Sequence, residues 1–316
     1  VWVEWYPVGA WLDGTTILRH NALMITQLFS IIAPVIFGAA FGFVWARLDK
    51  PFDAEFVTSM VFNLGTPLLV FSTLTRLNTD PQVFADLAIV VVVAVFSFWL
   101  ISFAVLKIAR LDLRTYLATV MIPNTGNVGL PLSFLAFGEE GLAFAIIVYT
   151  IVSLTQFTVG LGIAAGSFSP KELLKNPLIY AVLAALLVMV TKYQLPDWLA
   201  STAHIYGQFA IPMMLIMLGV SLAKLKITSF PRNIALSLVR FSMGLGVGLV
   251  VSHLFGLEGT VRGVFVLQCA MPAAVFNYML AMRYKNNPEE VAGLVVTSTL
   301  FAFATLPFLL AFVLKL

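Results

Sequence analysis

Ile122-Pro123-Asn124-Thr125-Gly126-Asn127-Val128-Gly129-Leu130-Pro131-Leu132 sets two prolines, two glycines and two asparagines inside an otherwise apolar segment running from about Arg114 to Gly138. A helix interior resists that composition. Proline removes a backbone donor and clashes with the preceding turn, and each glycine costs roughly 1 kcal/mol relative to alanine. A surface loop between two short helices would tolerate it. The flanks, Tyr116 to Met121 and Leu132 to Phe137, are instead apolar enough for hydrocarbon on both sides. The reading that fits both facts is a helix broken on purpose at Pro123, Gly129 and Pro131.

The rest of the composition agrees. Of 316 residues, 60% are hydrophobic and 10% charged, with mean hydropathy +0.99; soluble domains carry about 25% charged residues. The chain is expected to be an all-α polytopic membrane protein with no nucleic-acid partner. Its one cysteine, Cys269, lies in an apolar run, which excludes disulfides and cysteine metal sites and suggests a small buried hydrophobe. Ala22 to Ala46 is too long for a signal-peptide core and long enough to span. Residues 1–21, with Trp2, Glu4, Trp5, Tyr6, Trp11 and Asp13, read as an interfacial or non-native segment.

Ten apolar spans follow with short connections, at roughly 22–46, 53–76, 82–108, 115–137, 140–166, 177–193, 198–222, 231–255, 259–282 and 289–314. Lys and Arg orient them. Arg47, Lys50, Lys107, Arg110, Arg114, Lys171, Lys175, Lys224, Lys226, Arg232, Arg283 and Lys285 fall at odd-numbered connections, and Arg19, Arg76, Lys192, Arg262 and Lys315 at the termini and even-numbered connections. The positive-inside rule then puts the odd connections in the cytoplasm and both termini outside.

Prolines suggest a repeat. Pro34, Pro51, Pro67 and Pro123 are spaced 17, 16 and 56 residues apart, and Pro177, Pro196, Pro212 and Pro272 are spaced 19, 16 and 60. Five spans per half is odd, so copies at 22–166 and 177–316, joined by a linker at 167–176, would insert with opposite orientation. That is the inverted-repeat plan of secondary transporters.

In that plan the counterpart of the opening stretch is Gln268-Cys-Ala-Met-Pro272-Ala-Ala-Val-Phe-Asn277-Tyr278. Both prolines lie about nine or ten residues into their span, roughly 14–15 Å along a helix and near the middle of a ~30 Å hydrocarbon core. Two helices broken there would cross. Each second half-helix begins with unpaired N–H groups and the positive end of its dipole, a ready site for a carboxylate. Candidate substrate contacts are Asn124, Thr125, Gly126 and Asn127 at one break and Asn277 and Tyr278 at the other, unless the asparagines only cap the unwound backbone. Asn63 and Gln208 precede matched prolines and either face the crossing or brace a kink.

The run Asn124-Thr-Gly-Asn127-Val-Gly129-Leu-Pro131-Leu, with Met271-Pro272-Ala-Ala-Val-Phe-Asn277-Tyr278-Met-Leu-Ala and Pro288-Glu289, resembles the auxin efflux carrier family in its bacterial form. The resemblance spans the first helix to the tenth. It implies a scaffold and a transport domain moving elevator-fashion, as in bile-acid symporters and sodium/proton antiporters. It also implies a homodimer, and small organic anions such as malonate, malate or auxin as substrates. Asn127 and Asn277 match crossover asparagines that contact substrate, and Gln156 matches a polar contributor on the fifth helix. The plant-type central hydrophilic loop is absent, with Gly166 to Asn176 joining the halves, which disfavours auxin itself.

No Asp or Glu sits deep in any span, which argues against proton coupling through a carboxylate. Na⁺ remains an alternative coupling ion, held by carbonyls freed at Pro123–Gly126 and Pro272–Ala274 with Thr125, Gln156 or Gln268; potential-driven uniport is the other. Arg240, about nine residues into span eight, is expected to snorkel to the cytoplasmic face, with anion attraction or an acidic partner as alternatives. His204 and His253 read as interfacial. Gly38 and Gly42, and Gly244 and Gly248, have small-xxx-small spacing for close helix packing. No nucleophile–base pair or metal cluster suggests an enzyme, and no cofactor is expected. A non-transporting anion sensor is the reading from another class.

Overall fold

The computed structural model describes residues 14–76, 81–167, 174–225 and 229–316, of which 14–25 by backbone alone. The tryptophan-rich leader up to Asp13, most of the 167–176 linker, Lys171 and Lys226 fall outside the described residues. The described chain is all-helical, without strands: α1 (Gly14–Arg47), α2 (Ala54–Arg76), α3 (Pro81–Ile108), α4 (Leu113–Met121), α5 (Thr125–Ala165), α6 (Pro177–Thr191), α7 (Asp197–Lys224), α8 (Phe230–Leu254), α9 (Gly259–Cys269), α10 (Phe276–Tyr284) and α11 (Pro288–Val313). Among them, α1, α2, α3, α5, α7, α8 and α11 are long and apolar enough to cross a membrane.

The sequence explains the exceptions. At 1.5 Å per residue, α4 and α10 each run only about 14 Å, because Pro123 and Pro272 stop the chain's helices short on either side. At 41 residues α5 is far longer than a bilayer is thick, and it bends at Gly138 (φ 67°, ψ −158°), a conformation that glycine alone adopts readily. Polar caps begin several helices. Asp53 accepts from the Phe56 N–H at 2.9 Å, Asp112 from the Thr115 N–H at 2.9 Å, and Asn176 from the Leu178 N–H at 3.0 Å. Pro177 then occupies the first turn of α6, whereas Pro34 lies inside α1, so these two landmarks do not hold equivalent places.

Packing divides the helices into two groups. α1 lies along α7, and α2 packs on α6 and α7; α3, α4, α5, α8, α9, α10 and α11 pack among themselves. The groups meet chiefly where the first turn of α5 lies on α7 and where α1 and α2 touch α5. At one end of the larger group a polar knot joins three helices. The Tyr116 hydroxyl donates to Glu290 at 2.9 Å and accepts from Arg232 at 2.9 Å, and Ser229 donates to Glu290 at 2.8 Å.

The small-residue pairs serve contacts within the chain. A Cβ on Gly42 would stand 2.0 Å from the Ile216 carbonyl oxygen, and one on Gly219 would stand 1.9 Å from that of Ala39. α1 and α7 therefore touch backbone to backbone. Gly244 and Gly248 do the same for α8 against α9, at Cys269 and Val266. Cys269 is buried as a small apolar side chain.

These contacts predict a clean contrast. Gly42→Leu or Gly219→Leu should wedge α1 from α7 and destabilise the detergent-solubilised protein by about 1–3 kcal/mol or more. Gly246→Ala, which adds a Cβ into open space inside α8, should leave the melting temperature unchanged or raise it.

Candidate functional site at the helix crossing

α4 ends at Met121 and the chain runs extended through Ile122, Pro123 and Asn124; α9 ends at Cys269 and the chain unwinds through Pro272 and Ala273. The two unwound segments lie side by side and antiparallel. Pro123 pairs with Ala273, the Asn124 N–H donates to the Pro272 carbonyl at 2.7 Å, and the Ala274 N–H to the Ile122 carbonyl at 3.2 Å. Each proline lacks the N–H that the other segment would otherwise have to accept. The Ser298 hydroxyl of α11 takes the Ala273 N–H at 3.2 Å.

Four helix ends meet here, and the structure treats carbonyl ends and N–H ends differently. The carbonyl ends of α4 and α9 are filled by Arg240 of α8. Its Nη1 donates to Val120 and Met121 at 3.2 Å each, its Nε to Met271 at 3.2 Å, and its Nη2 to Cys269. The guanidinium lies 4.7 Å from the Phe98 ring centroid and the residue is 1% exposed. The expectation that Arg240 snorkels outward is therefore wrong, and its donors go to backbone carbonyls rather than to an acidic side chain. Those donors are drawn inward by carbonyls that have no helical partner. Among the described residues it is the one buried Lys, Arg, Asp or Glu side chain.

The N–H ends are less complete. The Asn124 side-chain oxygen caps α5 by accepting from the Asn127 N–H at 3.2 Å, so one of its predicted roles, capping, is met. Its own Nδ2 is buried without a partner. The Gly126 and Phe276 N–H groups find no acceptor among the described residues. Asn277 donates to the Ala118 carbonyl at 3.3 Å while its side-chain oxygen is buried and unpaired. Gln156, 5% exposed, has both amide atoms unpaired. It packs by Gly160, where an added Cβ would meet the Gln156 amide nitrogen at 2.6 Å and the Ile122 side chain at 3.0 Å. Gln268 donates to the Ser133 hydroxyl at 3.1 Å and leaves its oxygen unpaired against Gly129. Each such buried orphan costs about 1–3 kcal/mol. Their concentration around one crossing marks a place built for something polar.

Of the remaining candidates, Thr125 is buried, Gly126 is held against the Tyr149 ring, and Asn127 and Tyr278 are half-buried with no side-chain hydrogen bond among the described residues. Asn63 is exposed and donates to Ser59 on its own helix at 3.0 Å. Gln208 turns to His204 at 2.8 Å and takes no part in the crossing.

Two features escaped the sequence reading. The first is a set of widened, π-type turns at Val61–Gly65, Thr125–Gly129 and Gln156–Gly160, each carrying a candidate residue; such turns frequently accompany functional sites. The signal was present. VFNLG, TGNVG and QFTVG share a polar third residue, an aliphatic fourth and a final glycine. The second is an aromatic row. Phe62 packs tilted against Phe157 at 5.2 Å between centroids, and Phe157 tilted against Phe276 at 5.0 Å. These rings adjoin Asn63, Gln156 and Asn277 in sequence, giving the polar groups an apolar wall.

The family model described as membrane transport protein matches residues 23–168 and 163–310. The chain belongs to the auxin efflux carrier family of membrane transporters. Among relatives, an uncharacterized transporter of Methanocaldococcus jannaschii is 25% identical over 273 residues, covering 80% of this chain and 87% of the relative. Auxin efflux carrier component 8 of Arabidopsis thaliana is 22% identical over 355 residues, with 90% and 96% covered. A Rhizobium meliloti protein bearing a provisional malonate-transporter name is 22% identical over 312 residues, also with 90% and 96% covered. As a member of this carrier family, the protein is an integral membrane transporter.

The orphaned amides give a prediction that separates function from stability. Gln156→Leu removes two unpaired buried atoms and should leave the ligand-free protein as stable or more stable, while Asn124→Ala removes a helix cap and should cost about 1 kcal/mol. Thermal unfolding of both variants in detergent checks this. A loss of stability in Gln156→Leu would mean that the amide has a partner in the resting protein.

Proposed function

We propose that this protein carries small organic anions across the membrane by alternating access, with the carboxylate held at the crossing of the two broken helices. The observation that carries the reading is the asymmetry at the crossing. Carbonyl ends are closed by a guanidinium, whereas the Gly126 and Phe276 N–H groups and the amide nitrogens of Asn124 and Gln156 remain open, beside the half-buried Asn127 and the Asn277 amide that donates to Ala118. Open donors beside positive helix ends suit a carboxylate, and the Phe62–Phe157–Phe276 row suits the apolar body of a weak acid.

On this reading the chain forms ten spans, with α4 and the first part of α5 making the fourth and α9 with α10 the ninth, in two inverted halves. Both termini lie outside a bacterial inner membrane. The α1–α2–α6–α7 group is the scaffold, through which the protein forms a homodimer. The remaining helices are the transport domain and move as a body. The substrates are mono- or dicarboxylates such as malonate or malate, or auxin-like weak acids. The names of the Rhizobium and Arabidopsis relatives support this range. A Na⁺-coupled symporter of the bile-acid type is the near alternative.

The test is uptake of labelled malonate by proteoliposomes under an imposed membrane potential. Asn127→Ala and Asn277→Ala should each reduce uptake to background while eluting as folded protein. Full uptake in both variants would remove the crossing as the substrate site.

A further inference from the structure

In transporters built on broken helices, the half-helix carbonyl ends and unwound carbonyls are where a coupling cation binds. Here most of those backbone oxygens are already engaged. Val120, Met121, Cys269 and Met271 accept from Arg240. Ile122 accepts from the Ala274 N–H, Pro123 from Thr125, Asn124 from Gly129 and Pro272 from Asn124. No carboxylate is buried among the described residues to hold a cation in their place. The guanidinium does what a bound ion would do. It is a permanent positive charge, since Arg keeps its proton in proteins, and it joins the ends of two different helices.

We propose that Arg240 is a built-in counter-cation. Its guanidinium fills the carbonyl cage of the crossing, gives the anion site a fixed unit of positive charge, and makes the folded crossing independent of Na⁺ or K⁺. This deepens the transport reading above and rests on it for its meaning in transport, but its structural content stands separately. The planar fork also sets the chemistry. One Arg spans four carbonyls on two helices, whereas Lys offers a single compact ammonium. A Lys at 240 would keep the charge and hold fewer oxygens.

The test uses the purified full-length protein in detergent. For wild type, replacing NaCl by equimolar KCl or choline chloride should leave the melting temperature unchanged. Arg240→Ala should melt lower, and millimolar ethylguanidinium should restore much of the loss in that variant and none in wild type; Arg240→Lys should fall between. A saturable rise of the wild-type melting temperature with Na⁺ overturns the proposal, as does Arg240→Ala melting like wild type. Should Arg240→Ala fail to fold, the wild-type cation series and Arg240→Lys still decide: Arg240→Lys as stable as wild type also overturns it. Malonate uptake in Na⁺ against choline is run alongside. Absence of uptake in both media speaks against malonate transport and leaves the thermal result to judge Arg240.

Discussion

Unwound backbone in the middle of a membrane must satisfy its own N–H and C=O groups, because hydrocarbon offers them nothing and each unsatisfied group costs several kcal/mol. Everything distinctive about this fold follows from how that demand is met at Pro123 and Pro272. The two breaks satisfy part of it mutually, as an antiparallel pair. Two prolines help by having no N–H to satisfy. Ser298 takes one further donor from a neighbouring helix. What remains is divided by sign, with the carbonyls given to Arg240 and several donors left open.

That division links fold to function. A guanidinium at the negative helix ends fixes the crossing so that two helices from separate parts of the chain behave as one unit. The first turn of α5, where the Gly126 donor stays open, lies against α7. A site at the seam between two helix groups is where relative motion of those groups can expose a ligand to one side and then the other. The buried amides fit this account as groups unsatisfied at rest and satisfied by ligand, which is how a site can be specific without a charged side chain at the contact.

The breaks at Pro123 and Pro272, their meeting and the all-helical membrane class were legible because proline in an apolar run has few physical explanations. Gly129 and Pro131, read as part of the break, instead lie inside α5, where Pro131 stands in the first regular turn after the π-type one, a place proline tolerates. Capping by Asn124 was legible for the same reason, since an asparagine before a helix start has an N–H within reach. Arg240 was misread because its position along α8 reveals depth but not which way the side chain turns; only the facing carbonyls decide that. Whether Asn63 and Gln208 face the crossing was left open by the sequence; each instead bonds a residue one turn earlier in its own helix, Ser59 and His204. The π-type turns were missed because VFNLG and QFTVG fit an ordinary helix and TGNVG was read as part of the break, and only the repeated terminal glycine hinted at the widened geometry.

The central claim is that the crossing binds a carboxylate. The most direct measurement is thermal unfolding of the ligand-free protein against a panel of small mono- and dicarboxylates. A ligand of the native state raises stability by RT ln(1 + [L]/Kd). The account predicts that at least one carboxylate shifts the melting temperature in a saturable way, and that Gly126→Val, which pushes a side chain toward Tyr149 at the open donors, abolishes the shift. A panel with no stabilising carboxylate, or a shift that survives undiminished in Gly126→Val, would contradict it.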